Sequence, residues 1–571
     1  MTSFEIEELH FDARSLKTWA LLDDRHRNWP VVYTLDGPGE VYVGESLNAA
    51  GRFKQHLETG KKRLRRARVV VDPTFNKSVC LDLESYLIRL FAGDGRYEVL
   101  NRNDGITDAE YYGREDYQKA FERIFEELRE RGAFSRSVRE IENTDLFKLS
   151  PFKALTPDQA IAVEDILSGL FDDLEKKVSS RLVVQGDPGT GKTVVAIYLI
   201  KLLTDIQNAD LTDPVGEDSI LSEFFVEGYP QLLAGLRIGL VVPQQSLRKS
   251  IQNVFRKTPG LKPSMVMTPF EAAQADTRFD LLVVDEAHRL NQRASLASGA
   301  VNALFPKINV RLFGADDRGL TQLDWINAVS RHQIYLVDAA QAVRPADVPR
   351  QVLEDLTATA KAARRHYPLT TQMRVKAGSD YVGYIRGVLD GAPVEPQAFP
   401  GYDLRLFDDL GEMLAVVAEK ETEVGLARTV AGYAWPWRSR HDPTAFDITI
   451  DECHLRWNST DVDWVNSPTS TEEVGSIHTI QGYDLNVAAV IIGPDLRFDT
   501  ATRRIRFDRS NYHDKKGMQN NPSRGITYTD EDVLQFVKNI YAVLLTRGIL
   551  GTYVYVCDPP LREHLRRYLR P

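Results

Sequence analysis

The sequence predicts an α/β protein: a small mixed α/β unit followed by two doubly wound parallel-sheet lobes. Three observations predict it. From residue 151 short apolar runs recur, each followed by a loop and a helical segment, the alternation of a parallel sheet with crossover helices. Before residue 105 two strand-like runs flank a turn and two helical patterns follow. At 571 residues the chain is too long for one core, and roughly 100–200 residues per domain gives three or four units.

In chain order, VVYTL and EVYVG read as a hairpin around DGPG, and LNAAGRFKQHLETG and LDLESYLIRLFAG as helices. REDYQKAFERIFEELRERG is charged and helical in pattern and reads as a connector. The first lobe's strands are expected at 181–185, 238–242, 264–268, 279–285 and 332–338, and the second lobe's at 427–435, 487–493 and 552–558. The polar stretch 498–530 reads as an excursion from the second lobe. The expected domains are 1–112 (core about 29–105), a helical connector 113–150, and lobes at 151–345 and 346–571.

With 43% apolar and 27% charged residues the composition is that of a globular protein. No apolar run is long enough for a membrane span, and MTSFEIEELHFD lacks the apolar segment of a secretory signal. Cys80, Cys453 and Cys557 are far apart and without metal-ligand spacing, which fits a reducing cytoplasm. The net charge of −10 means that any nucleic-acid binding depends on local basic patches. One candidate is Arg52 to Arg68, with eight Lys or Arg against one Glu; the alternative is a solvated helix face.

GDPGTGKT at 186–193 lies between a strand and a helix, the setting a phosphate-binding loop requires. Gly186, Gly189 and Gly191 permit a tight backbone whose N–H groups, Thr190 among them, surround phosphate. Lys192 brings a charge to the outer phosphates of ATP and Thr193 a hydroxyl to Mg²⁺. In DLLVVDEAH a buried strand ends in two carboxylates: Asp285 to hold Mg²⁺, Glu286 to orient or deprotonate the attacking water. Gln159 in FKALTPDQA suits the edge of adenine; Thr156 and Pro157 beside it suit a helix N-terminus, and both uses are compatible.

With this loop and DEAH, the ordered segments PQQSLRKS, VDAAQAVRP, LTTQMRV, GSIHTIQGYDL and NIYAVLLTRG resemble superfamily 1 helicases. AGYAWPW adds a likeness to the Schlafen-like helicase/ATPase family, and the resemblance covers about residues 151–571. It implies two RecA-like lobes. It also implies that Gln341 senses the γ-phosphate, that Arg374 and Arg547 reach it from the second lobe, and that Gln481 and Asp484 couple ATP to the strand.

Upstream, Tyr33 and Tyr42 lie on the two strands of the expected hairpin, and Arg52 and His56 are four apart on one helix face. Glu84 sits at the margin of a buried helix face and needs a metal or a guanidinium as partner. Asn101 and Asn103 follow. In this order the residues resemble the GIY-YIG nucleases over about 29–105, with Val31-Val32 in place of Gly-Ile and Val43 in place of Ile. The resemblance implies that Glu84 binds a divalent ion and that Tyr33, assisted by Tyr42 or His56, deprotonates water. Arg52 would neutralise the scissile phosphate, and Asn101 or Asn103 would hold the site together.

The expectation is therefore an ATP- and Mg²⁺-dependent nucleic-acid motor joined to a Mg²⁺-dependent endonuclease, with DNA favoured over RNA. A nuclease joined to an ATPase needs restraint, which points to defence against foreign nucleic acid or to repair. Two alternatives stay open. One is a nucleotide-gated switch that stacks bases on Tyr433, Trp435 and Trp437 without unwinding. The other is a helicase with an inactive nuclease-like module.

Overall fold

The computed structural model describes residues 4–58, 63–101, 110–153, 155–209, 221–294, 299–338, 344–371, 380–392, 394–460, 463–480 and 483–569. The chain forms two compact units. One comprises Met1–Glu164, Ile197–Gly235 and Ser250–Met265, the other Asp165–Ala196, Leu236–Lys249 and Val266–Pro571.

The first unit is built on a five-stranded sheet of β1 (Glu5–His10), β2 (Val31–Asp36), β3 (Glu40–Ser46), β4 (Arg66–Val71) and β5 (Glu98–Val99), in the order β1-β4-β2-β3-β5. All pairings are antiparallel except β3 with β5. β2 is apolar on both faces because both are covered. Val32, with Val41, Val43 and Val70, packs with Leu83 and Leu87 of the helix Lys77–Asp94. Val31, Tyr33 and Leu35 pack on the opposite face with Phe53 of the helix Ala49–Glu58. The longer helix is capped by Asn76, whose side chain accepts from the Val79 N–H, and stops at Gly95 with φ 67°. Phe121, Ile124, Phe125 and Leu128 of the helix Arg114–Glu130 join the Val32 cluster, so the segment expected as a connector is part of this core.

The basic run behaves differently from its sequence pattern. Arg68 is buried and paired with Asp36 and Glu8, and Arg66 lies beside the same two carboxylates. These two cations hold the sheet rather than face a ligand.

The second unit carries two larger sheets. The first comprises β6 (Arg181–Gly186), β7 (Ile238–Val241), β8 (Val266–Met267), β9 (Phe279–Val284), β10 (Ser330–Val337) and β11 (His366–Leu369). Its order is β11-β6-β10-β9-β7-β8 and every pairing is parallel. Because β11 belongs to it, this sheet draws on residues beyond 345.

The second sheet comprises β12 (Asp403–Phe407), β13 (Ala427–Ala431), β14 (Ile448–Ile450), β15 (Cys453–Trp457), β16 (Glu473–Ser476), β17 (Leu485–Ile492) and β20 (Gly548–Val556). Its order is β12-β20-β17-β13-β16-β15-β14, parallel except for β14 with β15. A separate hairpin, β18 (Leu496–Asp499) with β19 (Arg504–Phe507), falls in the expected excursion. The chain is thus α/β with two parallel-sheet lobes of the RecA type, as the strand–helix alternation predicts. Among the described residues no helix is long and apolar enough to cross a membrane.

Candidate nucleotide and nucleic-acid sites

The carboxyl ends of β6, β9 and β10 carry the phosphate loop, the Asp-Glu pair and Asp338. Adjacent parallel strands bring these segments to one edge of the sheet. The loop relies on backbone that only glycine adopts cheaply, with φ 88° at Gly189 and 78° at Gly191. At Gly186 a Cβ would lie 2.4 Å from Thr190 Oγ1. Lys192 Nζ donates to Gly186 O at 2.7 Å and to Asp187 O at 2.8 Å, so the ammonium sits inside the loop. Thr193 Oγ1 donates to Asp285 Oδ2 at 2.7 Å, which puts both expected Mg²⁺-site oxygens together.

Glu286 has φ 49°, a left-handed conformation that costs a non-glycine residue about 1–3 kcal/mol. That strain points it toward His288, whose Nε2 lies 3.0 Å from Glu286 Oε2, with Arg289 Nε at 3.6 Å. His288 Nδ1 accepts from the Asp338 N–H at 3.3 Å, which leaves Nε2 as the nitrogen that faces Glu286. Burial works against ionisation of Glu286, but His288, Lys192 and Arg289 outweigh it and hold the carboxyl below its usual range. Burial and the neighbouring Glu286 charge push Asp285 up.

Two residues here escaped the sequence reading. Asp338 Oδ2 lies 3.9 Å from Lys192 Nζ. Arg386, on the second lobe's helix Tyr381–Asp390, places Nη1 3.2 Å from Asp187 Oδ1 and Nη2 3.7 Å from Asp338 Oδ1. The available signal was a lone cation in the apolar run YVGYIRGVL.

Gln341, Arg374 and Gln481 lie outside the described residues, as does Asn103. Arg547 is buried and tied to the expected coupling loop: its Nη1 donates to Tyr483 O at 3.2 Å and its carbonyl accepts from Leu485 N. Gln159, in the first unit, forms a reciprocal capping pair with Thr156: its side chain accepts from Thr156 N at 3.2 Å and its N–H donates to Thr156 Oγ1 at 3.3 Å.

Within the second unit a cavity of about 650 Å³ is lined by Phe270, Asn291 and Arg344 of the first lobe and by Tyr433, Trp435, Trp437, Arg440, His478, His513, Lys515 and Lys516 of the second. Arg440 stands over the Trp437 ring at 5.5 Å. The AGYAWPW loop leaves the end of β13 under tight constraint: a Cβ at Gly432 would lie 2.5 Å from Tyr541 Oη. The His513 N–H donates to Tyr433 O at 2.7 Å and brings Lys515 and Lys516 beside the aromatics. The rest of the basic stretch differs from expectation. Arg506 pairs with Asp499 across the hairpin, and Arg509 pairs with Asp530 at the start of the helix Asp530–Leu545.

In the first unit the expected nuclease residues converge. Tyr33 is opposite Gly44 in the β2–β3 ladder, where a Cβ would come within 2.5 Å of the Tyr33 ring. Tyr33 Oη and His56 Nε2 share a hydrogen bond of 2.9 Å, and the Tyr42 ring meets the His56 ring edge to face at 4.9 Å. Burial raises the Tyr33 hydroxyl well above its ordinary pKa, and the neighbouring Tyr42 and Glu84 add to this. The nearby Arg52 charge acts in the opposite sense. Burial also opposes the charge on Arg52, but both phenols favour it and its pKa is raised. Asn101 clamps β3 between Tyr42 and Gly44: its Oδ1 accepts from Val43 N at 3.1 Å and its Nδ2 donates to Val43 O at 2.8 Å. Among the described residues no group of three or more His, Cys, Asp or Glu is gathered around a point. Glu84 lies close enough to Tyr33 to act on its hydroxyl.

Three comparisons bear on these sites. The family described as Schlafen group 3, DNA/RNA helicase domain, matches residues 179–558. An uncharacterised protein of Saccharomyces cerevisiae (strain ATCC 204508 / S288c), YPL245W, is 26% identical over 465 residues, 76% of this chain and 95% of its own. A crystal structure of Pif1 helicase from Bacteroides in complex with ADP-AlF3 and ssDNA shares 12% identity. That alignment covers 69% of this chain and 91% of that one at a TM-score of 0.22, too loose to speak for fold or ligand. The family match spans the phosphate loop, the Asp-Glu pair, Arg386 and the aromatic cavity alike. Because it spans more than half of the sequence, the match makes this chain a member of the Schlafen group 3 helicase-domain family, whose domain is a helicase-like ATPase.

Proposed function

We propose that the chain hydrolyses ATP to move on or remodel a nucleic acid, and that its first unit cleaves the strand as a GIY-YIG-type endonuclease. The observation that carries the motor is one unit bearing both a phosphate-loop site with a polarised Asp-Glu pair and a two-lobed cavity of tryptophans and cations. In the ATP site the loop N–H groups and Lys192 hold phosphate, and Glu286, held ionised by His288, directs a water at the γ-phosphate. Thr193 and Asp285 would hold Mg²⁺, which supplies charge neutralisation on the phosphates. In the cavity Trp435 and Trp437 offer faces on which bases stack without sequence preference, and Arg440, Lys515 and Lys516 offer charge to phosphates. DNA is favoured as the strand.

The convergence of Tyr33, Tyr42, Arg52, His56 and Asn101 supports the nuclease. The Tyr33 hydroxyl resists ionisation, so it serves as a hydrogen-bonded link that passes a proton to His56 Nε2 rather than as a standing phenolate. Arg52 would face the scissile phosphate and Glu84 would hold the ion. Restraint of such an activity by ATP suits defence or repair.

The test is a panel of single- and double-stranded DNA and RNA with Mg²⁺, with and without ATP, on wild type, Glu84→Ala and Lys192→Ala. We expect nucleic-acid-stimulated ATP hydrolysis lost in Lys192→Ala, and cleavage lost in Glu84→Ala but kept in Lys192→Ala. A wild-type chain that shows neither activity sinks the proposal. Hydrolysis without cleavage leaves the motor and removes the nuclease.

A further inference from the structure

We propose that Arg386 is a positioning residue of the nucleotide site, acting through Asp338 to decide whether Lys192 is available to phosphate. The inference rests on the reading of the phosphate loop as an ATP site and goes beyond it. Asp338 is 4% exposed, and its two carboxylate oxygens stand 3.9 Å from Lys192 and 3.7 Å from Arg386. Its backbone is fixed independently, by the hydrogen bond from its N–H to His288 and by its place at the end of β10. The carboxylate therefore stays while the cations around it change.

Lys192 is the cation that leaves. A bound triphosphate competes for the ammonium now held by Gly186 O, Asp187 O and Asp338. Stripping a cation from a buried carboxylate is costly unless another remains beside it. Arg386 fills that role, and its second contact, to Asp187, anchors it on the loop itself.

Arg386 belongs to the other lobe. Its helix packs through Tyr381, Tyr384, Ile385 and Val388 into the core that holds Val430 and Val490 of the second sheet. When the lobes part, Arg386 goes with the second sheet and leaves Asp338 behind. Asp338 then draws Lys192 back, and the grip on phosphate weakens. When the lobes close, Arg386 takes Asp338 and releases Lys192 to the nucleotide. Lobe separation is in this way converted into nucleotide release.

The full-length chain is titrated with a fluorescent ATP analogue, and KM and kcat for ATP are measured, in wild type, Arg386→Ala, Arg386→Met, Asp338→Asn and the double variant Arg386→Ala/Asp338→Asn. Arg386→Met keeps the aliphatic stem and carries the test should the alanine variant fold poorly. We expect both Arg386 variants to raise Kd and KM about tenfold, with a smaller change in kcat. Asp338→Asn in the same chain is expected to restore Kd to within about twofold of wild type, because position 338 no longer carries the charge that recaptures Lys192. An unchanged Kd in both Arg386 variants overturns the proposal, as does a raised Kd that Asp338→Asn fails to restore. No nucleotide binding by wild type is a separate result: it removes the ATP site itself.

Discussion

At the scale of single residues, the nucleotide site is a set of unequal partners. Glu286 is held ionised by His288 and Arg289, while the adjacent Asp285 is pushed toward its neutral form by burial and by Glu286 itself. That asymmetry gives a direct prediction. Glu286→Gln keeps the volume and removes the charge that directs water. Hydrolysis should fall by about 10²–10⁴-fold, the usual worth of a positioned base, while ATP binding persists. Single-turnover hydrolysis and nucleotide titration on the same preparation check both halves, and parallel loss of binding would assign Glu286 a structural role instead. Residues of this kind were legible because the phosphate loop and DEAH are contiguous in sequence. Arg386 and Asp187 are 199 positions apart, and no local pattern marks them as partners. Gln159 was read as an adenine contact beside a helix N-terminus, and the geometry shows its side chain capping Thr156.

At the scale of elements, the strands that could be read are those buried on both faces. β9 and β17 are nearly continuous apolar runs because helices cover each side of a parallel sheet. One inner strand, β4, was missed because its first residues belong to the basic run that read as a solvated face; other missed strands are short or marginal. β11 ends the first sheet and contains Pro368, which an edge strand tolerates and an inner strand does not. β14 has three residues, and half-exposed β15 lacks a clear alternation. The β2–β3 hairpin was read correctly from its turn, yet the reason for its glycine became visible only with the register. Gly44 lies under the Tyr33 ring, and a methyl group there would meet Cζ and Oη at 2.5 Å. Overpacking of a fixed core costs about 1–3 kcal/mol. Gly44→Ala should therefore lower thermal stability and displace the Tyr33–His56 pair. Differential scanning calorimetry reads the first effect, and loss of the proposed cleavage activity the second. A variant with wild-type melting and full cleavage would mean that β3 yields more than its Asn101 clamp implies.

At the scale of the whole molecule, charge and affinity part company. A chain with net charge −10 has no general attraction for a polyanion. Some of the cations that looked available in sequence are engaged in ion pairs: buried Arg68 and half-exposed Arg66 in the first unit, Arg506 and Arg509 in the second. The aromatic cavity offers both cations and stacking surface, and the two terms are separable by salt. Each phosphate contact to a single strand adds roughly 0.7 to the slope of log affinity against log salt. Lys515→Ala combined with Lys516→Ala should flatten that slope by about 1.4 units. Trp437→Ala should instead weaken binding by about 1–3 kcal/mol, the worth of one stacked base, and leave the slope where it was. Fluorescence anisotropy with a labelled single strand from roughly 50 to 200 mM salt measures both in one experiment. If the tryptophan variant changes the slope while the lysine variant does not, the strand runs elsewhere. The cavity beside Tyr433 would then be a packing feature of the lobes rather than the track on which the motor works.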